Sequence, residues 1–156
     1  MGLSFYTYAT PLGRITLQSD EAGITRLAFG ADVLEGTRVS NTVMNRCASQ
    51  MQEYLAGKRQ AFDVPLSIHG SDFQLSVWSE IAKIPYGEQA TYSQIAERIG
   101  KPSAYRAVGS AANKNPLPIL VPCHRVVGSN GALVGYAFGL KLKEFLINLE
   151  RSHSQS

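Results

Sequence analysis

The first third of the chain alternates short runs of β-type composition with turn residues. Residues 5–8, 15–17 and 24–29 are such runs, and turns containing Pro or Gly separate them. This pattern predicts three strands in an antiparallel meander. Residues 62–66 continue it, but Pro65 cannot donate a hydrogen bond within a ladder. We therefore expect a last strand there, at the edge of the sheet.

A helical pattern lies between these segments. From Asn41 to Gly57, apolar residues recur at every fourth position, as one face of an amphipathic helix requires. The stripe consists of Val43, Cys47, Met51 and Leu55. Because Cys47 belongs to this stripe, we interpret it as a buried thiol of the core.

From residue 71 onwards the pattern is mostly helical. Ser71 and Gln74 have the spacing of a capping box, and the apolar stripe that follows includes Trp78 as a core anchor. The Pro-Tyr-Gly run at residues 85–87 ends this helix. We place a domain boundary near residue 70, where strands give way to helices and the charge changes sign.

Two further short helices follow. Thr91 is predicted to cap a helix that ends at Ile99, and a second helix is predicted from Ser103 to Ala112. Two short helices joined by a turn that contains Gly form the helix-turn-helix pattern, whose second helix enters a DNA groove. Many small helical hairpins share this pattern, so it favours DNA binding without requiring it.

The last part of the chain contains a predicted turn and a predicted helix. Residues 126–134 surround an Asn-Gly pair, which favours a β-hairpin. A final amphipathic helix is predicted from Leu140 to Glu150. The glycines here match neither the dinucleotide-binding nor the P-loop consensus, so no cofactor is predicted.

Composition narrows the class of protein. The 156 residues suffice for one ordinary domain or two small ones. No apolar run approaches the ~20 residues that cross a bilayer, and the first residues do not have the pattern of a secretion signal, so we expect neither a membrane protein nor a secreted one. Cys47 and Cys123 are the only cysteines, which excludes a disulfide framework and fits a reducing cytoplasm. Together with three scattered histidines they give no zinc-ligand spacing, so no metal site is predicted.

The net charge of +3 is unevenly distributed. Residues 1–72 carry 6 Lys/Arg and 7 Asp/Glu, whereas residues 73–156 carry 9 and 5. A polyanionic partner would therefore bind the second part of the chain. The alternative at this point is a basic surface with no such partner.

The candidate chemistry lies in residues 115–125. Three prolines in this run stiffen the segment and present Cys123 in a fixed position. A thiol attacks as thiolate, and a neighbouring base or positive charge must generate it at neutral pH. His124 and Arg125 follow directly. An adjacent Cys-His pair is by itself more often incidental than catalytic, but the rigid proline framing favours a nucleophile.

Several motifs along residues 71–151 resemble those of the O6-alkylguanine-DNA alkyltransferases, the methylated-DNA–protein-cysteine methyltransferases; the first 70 residues match in general layout. The matching runs are Tyr92-Ser93-Gln94, Arg106-Ala107-Val108-Gly109, Asn115-Pro116, Pro122-Cys123-His124-Arg125-Val126, Gly135-Tyr136 and Lys143-Glu144-Phe145-Leu146 with Glu150. The resemblance implies an α/β N-terminal domain of RNase H-like type over residues 1–70. A mostly α, winged helix-turn-helix domain over residues 71–156 is implied to follow it.

The resemblance also implies an activity. Such proteins repair DNA without a cofactor: guanine is flipped out of the duplex, and its O6-alkyl group moves irreversibly to a cysteine, which reacts once. The partner would be double-stranded DNA containing O6-alkylguanine. We expect a monomer, with clustering on DNA left open, and a cytoplasmic, DNA-associated location.

Residue roles follow by the same resemblance. Cys123 would accept the alkyl group, His124 would act as a base through a water, Glu150 would orient His124, and Asn115 would fix the turn before the cysteine. The residues implied in DNA binding or base flipping are Tyr92, Ser103, Arg106, Ala107 and Arg125. The residues implied to line the guanine pocket are Val126, Tyr136, Ala137, Phe138 and Lys143.

Plainer roles stay open for three of these residues. Glu150 is also consistent with a solvated charge at a helix end, Arg106 with a phosphate or surface contact, and Tyr92 with an ordinary core position. Phe138 stands where the family usually has glycine, so we expect large adducts such as benzyl to be accepted less well than methyl.

Three rival functions remain at this stage. One is a module that binds damaged guanine without transferring its alkyl group, but relatives of that kind replace the cysteine that this chain keeps. The second is a helix-turn-helix regulator in which Cys123 is structural. The third is a cysteine hydrolase, which the absence of an oxyanion-loop motif disfavours.

Overall fold

The computed structural model describes residues 2–154. The chain divides into two compact units, Met1–His69 and Gly70–Ser156, called here the N-terminal unit and the C-terminal unit. Within residues 2–154, no helix combines the length and the apolar character that crossing a membrane requires.

The N-terminal unit is built on a four-stranded sheet. Its strands are β1 (Ser4–Thr10), β2 (Gly13–Ser19), β3 (Ile24–Phe29) and β4 (Thr37–Arg38), in the order β3-β2-β1-β4. The pairs β1–β2 and β2–β3 are antiparallel, which confirms the predicted meander. The short β4, which was not predicted, pairs in parallel with β1.

One helix, α1 (Thr42–Leu55), belongs to this unit. It begins where the Asn41 side chain accepts a hydrogen bond from the backbone N–H of Met44 at 2.9 Å. Met44, Cys47, Met51 and Tyr54 are buried on its inner face. Cys47 is thus a core thiol, as predicted, and burial raises its pKa to about 12.

The predicted strand at residues 62–66 is wrong. Leu66 forms only an isolated bridge with Ile24. Two backbone hydrogen bonds support the bridge, from Ile24 N–H to the Pro65 carbonyl at 2.9 Å and from Ser67 N–H to the Ile24 carbonyl at 2.8 Å. Because Pro65 has no N–H, the pairing cannot continue as a ladder.

The C-terminal unit is mostly helical. Its elements are α2 (Asp72–Ile81), β5 (Ala90–Thr91), α3 (Tyr92–Arg98), α4 (Tyr105–Asn113), β6 (Val126–Val127) and α5 (Leu140–His153), with 3₁₀ turns at Cys123–Arg125 and Ser129–Gly131. Helices α2, α3 and α4 pack on one another around Trp78, Ile95 and Val108. The indole of Trp78 donates to the Ala111 carbonyl at 2.9 Å, so this core anchor also ties α2 to α4.

The start signals of the helices hold to different degrees. Ser71 forms the predicted capping box, and Thr91 caps α3 as predicted. The Thr91 cap is also a complete capping box, which was not predicted. Helix α4 begins at Tyr105, two residues later than predicted. The N-cap is Ala104, which has no side-chain acceptor.

The predicted hairpin at residues 126–134 is also wrong. Val126 and Val127 are buried and pair in parallel with β5 instead. The Asn130-Gly131 pair does adopt the left-handed backbone that such a turn requires. The turn is closed by hydrogen bonds from Gly128 N–H to the Ala132 carbonyl at 2.8 Å and from Gly131 N–H to the Gly128 carbonyl at 3.0 Å. Within residues 2–154, no second strand follows it.

Candidate active site and nucleic-acid interface

The loop that precedes Cys123 is tightly folded around Asn115. The side chain of Asn115 is buried; its Oδ1 accepts from Leu117 N–H at 2.9 Å, and its Nδ2 donates to the Val121 carbonyl at 2.9 Å. Ile119 has a φ of 72°, a conformation that a β-branched residue rarely adopts. The loop is therefore held against backbone strain, and the asparagine spans it.

The Cys123 thiol lies at the end of this loop. It opens the 3₁₀ turn and is 4% exposed. Asn115 Nδ2 also donates to its sulfur at 3.0 Å. Burial raises the pKa of the thiol to about 12, against the opposing effects of the Asn115 hydrogen bond and the Lys143 charge. The resting protein thus holds Cys123 as a neutral thiol.

His124 and Glu150 are in direct contact beneath the cysteine turn. His124 Nε2 and Glu150 Oε2 are 2.7 Å apart, and both side chains are buried. Burial lowers the pKa of the imidazole, although the hydrogen bond and charge of Glu150 act against this shift. Burial alone would raise the pKa of Glu150, but the hydrogen bonds from His124 and Arg125 outweigh it and lower that pKa to about 2. The pair is a neutral imidazole beside a carboxylate.

Arg125 does not lie where its assignment to DNA binding requires. Its Nε donates to Glu150 Oε1 at 2.8 Å and its Nη2 to Glu150 Oε2 at 2.9 Å. Its Nη1 donates to the Ile84 carbonyl at 2.7 Å. The guanidinium is thus buried and committed to the protein interior, so it cannot serve as a phosphate contact. The assignment of Arg125 to the DNA interface is wrong.

Glu150 is therefore a junction between three parts of the unit. Its carboxylate accepts from His124, from Arg125 and, at 3.0 Å, from the backbone N–H of Gly87. Helix α5 is tied in this way to the cysteine turn and to the loop after α2. This geometry excludes the interpretation of Glu150 as a solvated helix-end charge.

Lys143 is buried beside two tyrosine rings. Its Nζ donates to the Gly135 carbonyl at 3.0 Å and lies 5.8 Å from the Tyr92 ring centroid and 5.9 Å from that of Tyr136. Burial lowers its pKa to about 8, although the electrostatic effect of Cys123 opposes this shift. The hydroxyl of Tyr92 donates to the Val134 carbonyl at 3.1 Å. Lys143 thus lies against Tyr136, which was predicted to line the pocket, and against Tyr92, which was predicted to take part in base flipping.

The other predicted pocket residues differ in exposure. Val126 is fully buried, whereas Ala137 is exposed. The rings of Tyr136 and Phe138 meet edge to face with centroids 5.4 Å apart. Burial raises the pKa of the Tyr136 hydroxyl, which makes no hydrogen bond to any residue between 2 and 154.

Helix α4 has an inner and an outer face. Val108, Ala111 and Ala112 are buried on the inner face. Arg106 and Ala107 are exposed on the outer face, and Ser103 is exposed just before the helix. The residues predicted to contact DNA from this helix are thus accessible.

Two backbone groups of the site could not be predicted from the sequence. The backbone groups of Ile84 and Gly87 contribute to the Glu150 junction, and side-chain patterns give no signal for such contacts. Arg125 was misassigned because an arginine beside a nucleophile suits an anionic substrate equally well. Only the structure shows that the buried Glu150 carboxylate is hydrogen-bonded to both His124 and Arg125.

Comparison with known proteins identifies the family. The profile of the 6-O-methylguanine DNA methyltransferase ribonuclease-like domain matches residues 3–68, and that of the 6-O-methylguanine DNA methyltransferase DNA binding domain matches residues 72–152. The chain belongs to this methyltransferase family. The predicted fold class, an α/β ribonuclease-like domain followed by a helical DNA-binding domain, is confirmed by these matches.

Similar proteins cover almost the whole chain. A methylated-DNA–protein-cysteine methyltransferase of Methanosarcina acetivorans is 49% identical, over 93% of this chain and 96% of the relative. The constitutive enzyme of Bacillus subtilis is 43% identical, over 96% of each chain. The solved structure of Mycobacterium tuberculosis OGT in complex with DNA superposes with a TM-score of 0.89 at 38% identity, over 96% of this chain and 94% of that one.

Proposed function

We propose that this methyltransferase repairs DNA by moving an alkyl group from O6 of guanine to Cys123, once per protein molecule. The observation that carries the proposal is the cysteine itself. Cys123 is buried, held by Asn115 at 3.0 Å, and follows a loop whose strained backbone fixes its position. The names of its close relatives support the same reaction.

The transfer is a displacement at the alkyl carbon. The Cys123 thiolate forms a bond to that carbon while the bond between the carbon and guanine O6 breaks. The electron pair of the broken bond stays on guanine, which takes up a proton and is left as the unmodified base. A thioether does not reverse under these conditions, so each molecule of the protein reacts once.

The thiol proton must leave for this step, because the resting thiol has a pKa near 12. A neutral His124 that donates from Nε2 to the Glu150 carboxylate keeps its lone pair on Nδ1. That nitrogen receives the thiol proton through a water. Glu150 then stabilises the imidazolium, as the acid does in a catalytic triad. Arg125 holds Glu150 in place and makes no contact with the substrate.

The substrate base must leave the duplex to reach a buried thiol. Flipping a base costs a few kcal/mol, which contacts with the protein must offset. Ser103, Arg106 and Ala107 lie on or beside the outer face of α4 and make these contacts, with Arg106 entering the space that guanine leaves. Tyr92, Tyr136 and Lys143 then surround the base near Cys123. The partner is double-stranded DNA containing O6-alkylguanine.

The decisive experiment is a mass measurement. The protein is incubated with a duplex containing one O6-methylguanine, and the peptide that contains Cys123 is weighed. We expect the mass of one methyl group to be gained, with the DNA restored to guanine. Cys123→Ser should gain nothing, whereas Cys47→Ser, at the buried thiol of the N-terminal unit, should react normally. Tight binding without any mass gain would contradict transfer and indicate a module that only recognises damage.

A further inference from the structure

Tyr105 is a large aromatic side chain on the helix proposed to contact DNA. It is the first residue of α4, and 45% of its surface is exposed. Its hydroxyl makes no hydrogen bond to any residue of the described range 2–154. Ser103 before it and Ala107 after it in the sequence carry small exposed side chains. The Tyr105 ring is therefore accessible to a flat ligand.

Among residues 2–154, the partner of this ring is Arg106. The guanidinium carbon lies 6.0 Å from the ring centroid, and Arg106 forms no ion pair within residues 2–154. An exposed cation–π contact changes a population by about two- to fivefold. Tyr105 therefore restricts the conformations of the arginine that is proposed to fill the gap left by guanine.

The flipped duplex offers a matching surface. When a base leaves the stack, its neighbours each expose one flat face, and its former partner loses its pairing. Aromatic side chains stack on such faces, and they do so for any base because every base has a π-face. A ring beside the arginine finger therefore has a ligand only in the flipped state.

We propose that Tyr105 is a second DNA-stacking residue of α4, whose ring packs on a base exposed by flipping and holds Arg106 beside the gap. The inference rests on the proposed function, because it requires a flipped guanine. It assigns to Tyr105 a contribution to the flipped complex that is independent of charge and of the sequence around the lesion.

The test compares two substrates that differ in their need for flipping. Single-turnover methyl transfer is measured on a duplex containing O6-methylguanine and on free O6-methylguanine base at high concentration. Tyr105→Ala and Tyr105→Leu should slow transfer from the duplex about fivefold or more, the effect of losing one aromatic–base stack. Both should react with the free base at the wild-type rate. Tyr105→Phe, which keeps the ring, should match the wild type on both substrates.

Phe145→Ala is the matched control. Phe145 is 44% exposed on α5, and its loss should leave transfer from the duplex unchanged. Equal melting temperatures establish that each variant is folded. Transfer from the duplex at the wild-type rate by Tyr105→Ala would overturn the proposal. Transfer from the duplex at the wild-type rate by Tyr105→Leu would also overturn it, since side-chain bulk without an aromatic ring would then suffice. So would a rate on the free base that Tyr105→Ala lowers as much as the rate on the duplex.

The outcomes also separate this inference from the function on which it rests. If the wild-type protein gains no methyl group, the proposed function itself fails. If the wild type reacts and Tyr105→Ala keeps pace with it on the duplex, only the stacking role of Tyr105 fails.

Discussion

The amide of Asn115 favours the thiolate form of Cys123 over the neutral thiol. Its Nδ2 donates to the sulfur, and a donor stabilises an anion more than a neutral group. We predict that Asn115→Asp slows methyl transfer about tenfold or more, because a hydrogen bond to a charged group contributes roughly 1.5–3 kcal/mol and the new carboxylate repels the thiolate. Single-turnover transfer from a methylated duplex measures this loss.

The control for that variant is Asn148→Asp, which makes the same chemical change at an exposed position of α5. It should transfer at the wild-type rate. If Asn115→Asp also keeps the wild-type rate while remaining folded, the asparagine has no part in activating the cysteine.

The Phe138 side chain is expected to limit the size of the alkyl group that the pocket accepts. Its ring meets the edge of the Tyr136 ring, with centroids 5.4 Å apart, so it occupies space beside the proposed pocket. We predict that the wild type transfers benzyl less readily than methyl, and that Phe138→Gly raises the benzyl rate relative to the methyl rate. Competition between the two adducts in otherwise identical duplexes measures the ratio. A ratio near one that Phe138→Gly leaves unchanged would show that this ring does not limit the pocket.

How far the site is predictable depends on the residue. Cys123 and His124 stand in a run unusual enough to be singled out from the sequence. Glu150 is 26 positions away from His124. In the sequence, only the family resemblance indicates that these two residues interact. Arg125 was placed wrongly because sequence patterns identify a charge but not the direction in which its side chain is buried.

At the scale of elements, local signals predict the helices better than the strands. Ser71 and Thr91 have the capping-box spacing within four residues, so their helix starts can be identified from adjacent positions. The pairing of β5 with β6 joins residues 36 positions apart, which no local pattern encodes. The Asn130-Gly131 turn was correctly identified, but a turn alone does not pair the chain on either side of it.

Packing between α3 and α4 gives a prediction about Gly109. A Cβ added at this helical position would lie 3.8 Å from the Tyr92 ring, which is an ordinary van der Waals distance. We predict that Gly109→Ala stabilises the protein by about 0.5–1 kcal/mol, because glycine is a poor helix former. Urea unfolding measures the change. Gly109→Val is the comparison, since its larger side chain should displace Tyr92; a destabilised Gly109→Ala would mean that the ring cannot tolerate contact.

The Glu150 junction ties α5 to the cysteine turn, so its loss should lower the stability of the whole protein by more than one hydrogen bond contributes. We predict that Glu150→Gln destabilises the protein by about 3–5 kcal/mol at pH 7, because Arg125 would remain buried without its counter-charge. Glu144→Gln, at an exposed position of the same helix, should have little effect. Denaturant unfolding measures the free energy of unfolding of both variants.

The same prediction has a defined pH dependence. The pKa of Glu150 is lowered from 4.5 to about 2 by folding, so its ion pair stabilises the protein above about pH 4.5 and loses this effect as the pH falls. Folding also lowers the pKa of His124 from 6.5, because the imidazole is buried. The unfolded chain therefore binds a proton at His124 more readily than the folded protein does, and stability falls as the pH drops below 6.5. The difference in the free energy of unfolding between wild type and Glu150→Gln should therefore become smaller below pH 4. A difference that stays constant down to pH 3 would contradict the assignment.

At the scale of the whole molecule, net charge differs between the two parts of the chain. The excess of Lys and Arg lies in residues 73–156, which include the exposed end of α4. Salt dependence reports how many phosphates a protein neutralises, because each contact releases counterions from the duplex. The measured slope thus tests where the DNA binds without requiring a structure of the complex.

We predict that Lys101→Gln reduces the slope of log K against log salt by about one, as the loss of one phosphate contact should. Lys101 is exposed just before α4, whereas Arg26 is exposed on β3 of the N-terminal unit, and Arg26→Gln should leave the slope unchanged. Both variants carry Cys123→Ser, so that binding to a methylated duplex is measured without reaction. If Arg26→Gln lowers the slope as much as Lys101→Gln does, phosphate contacts extend onto the N-terminal unit. The DNA interface could then not be confined to the helix-turn-helix surface.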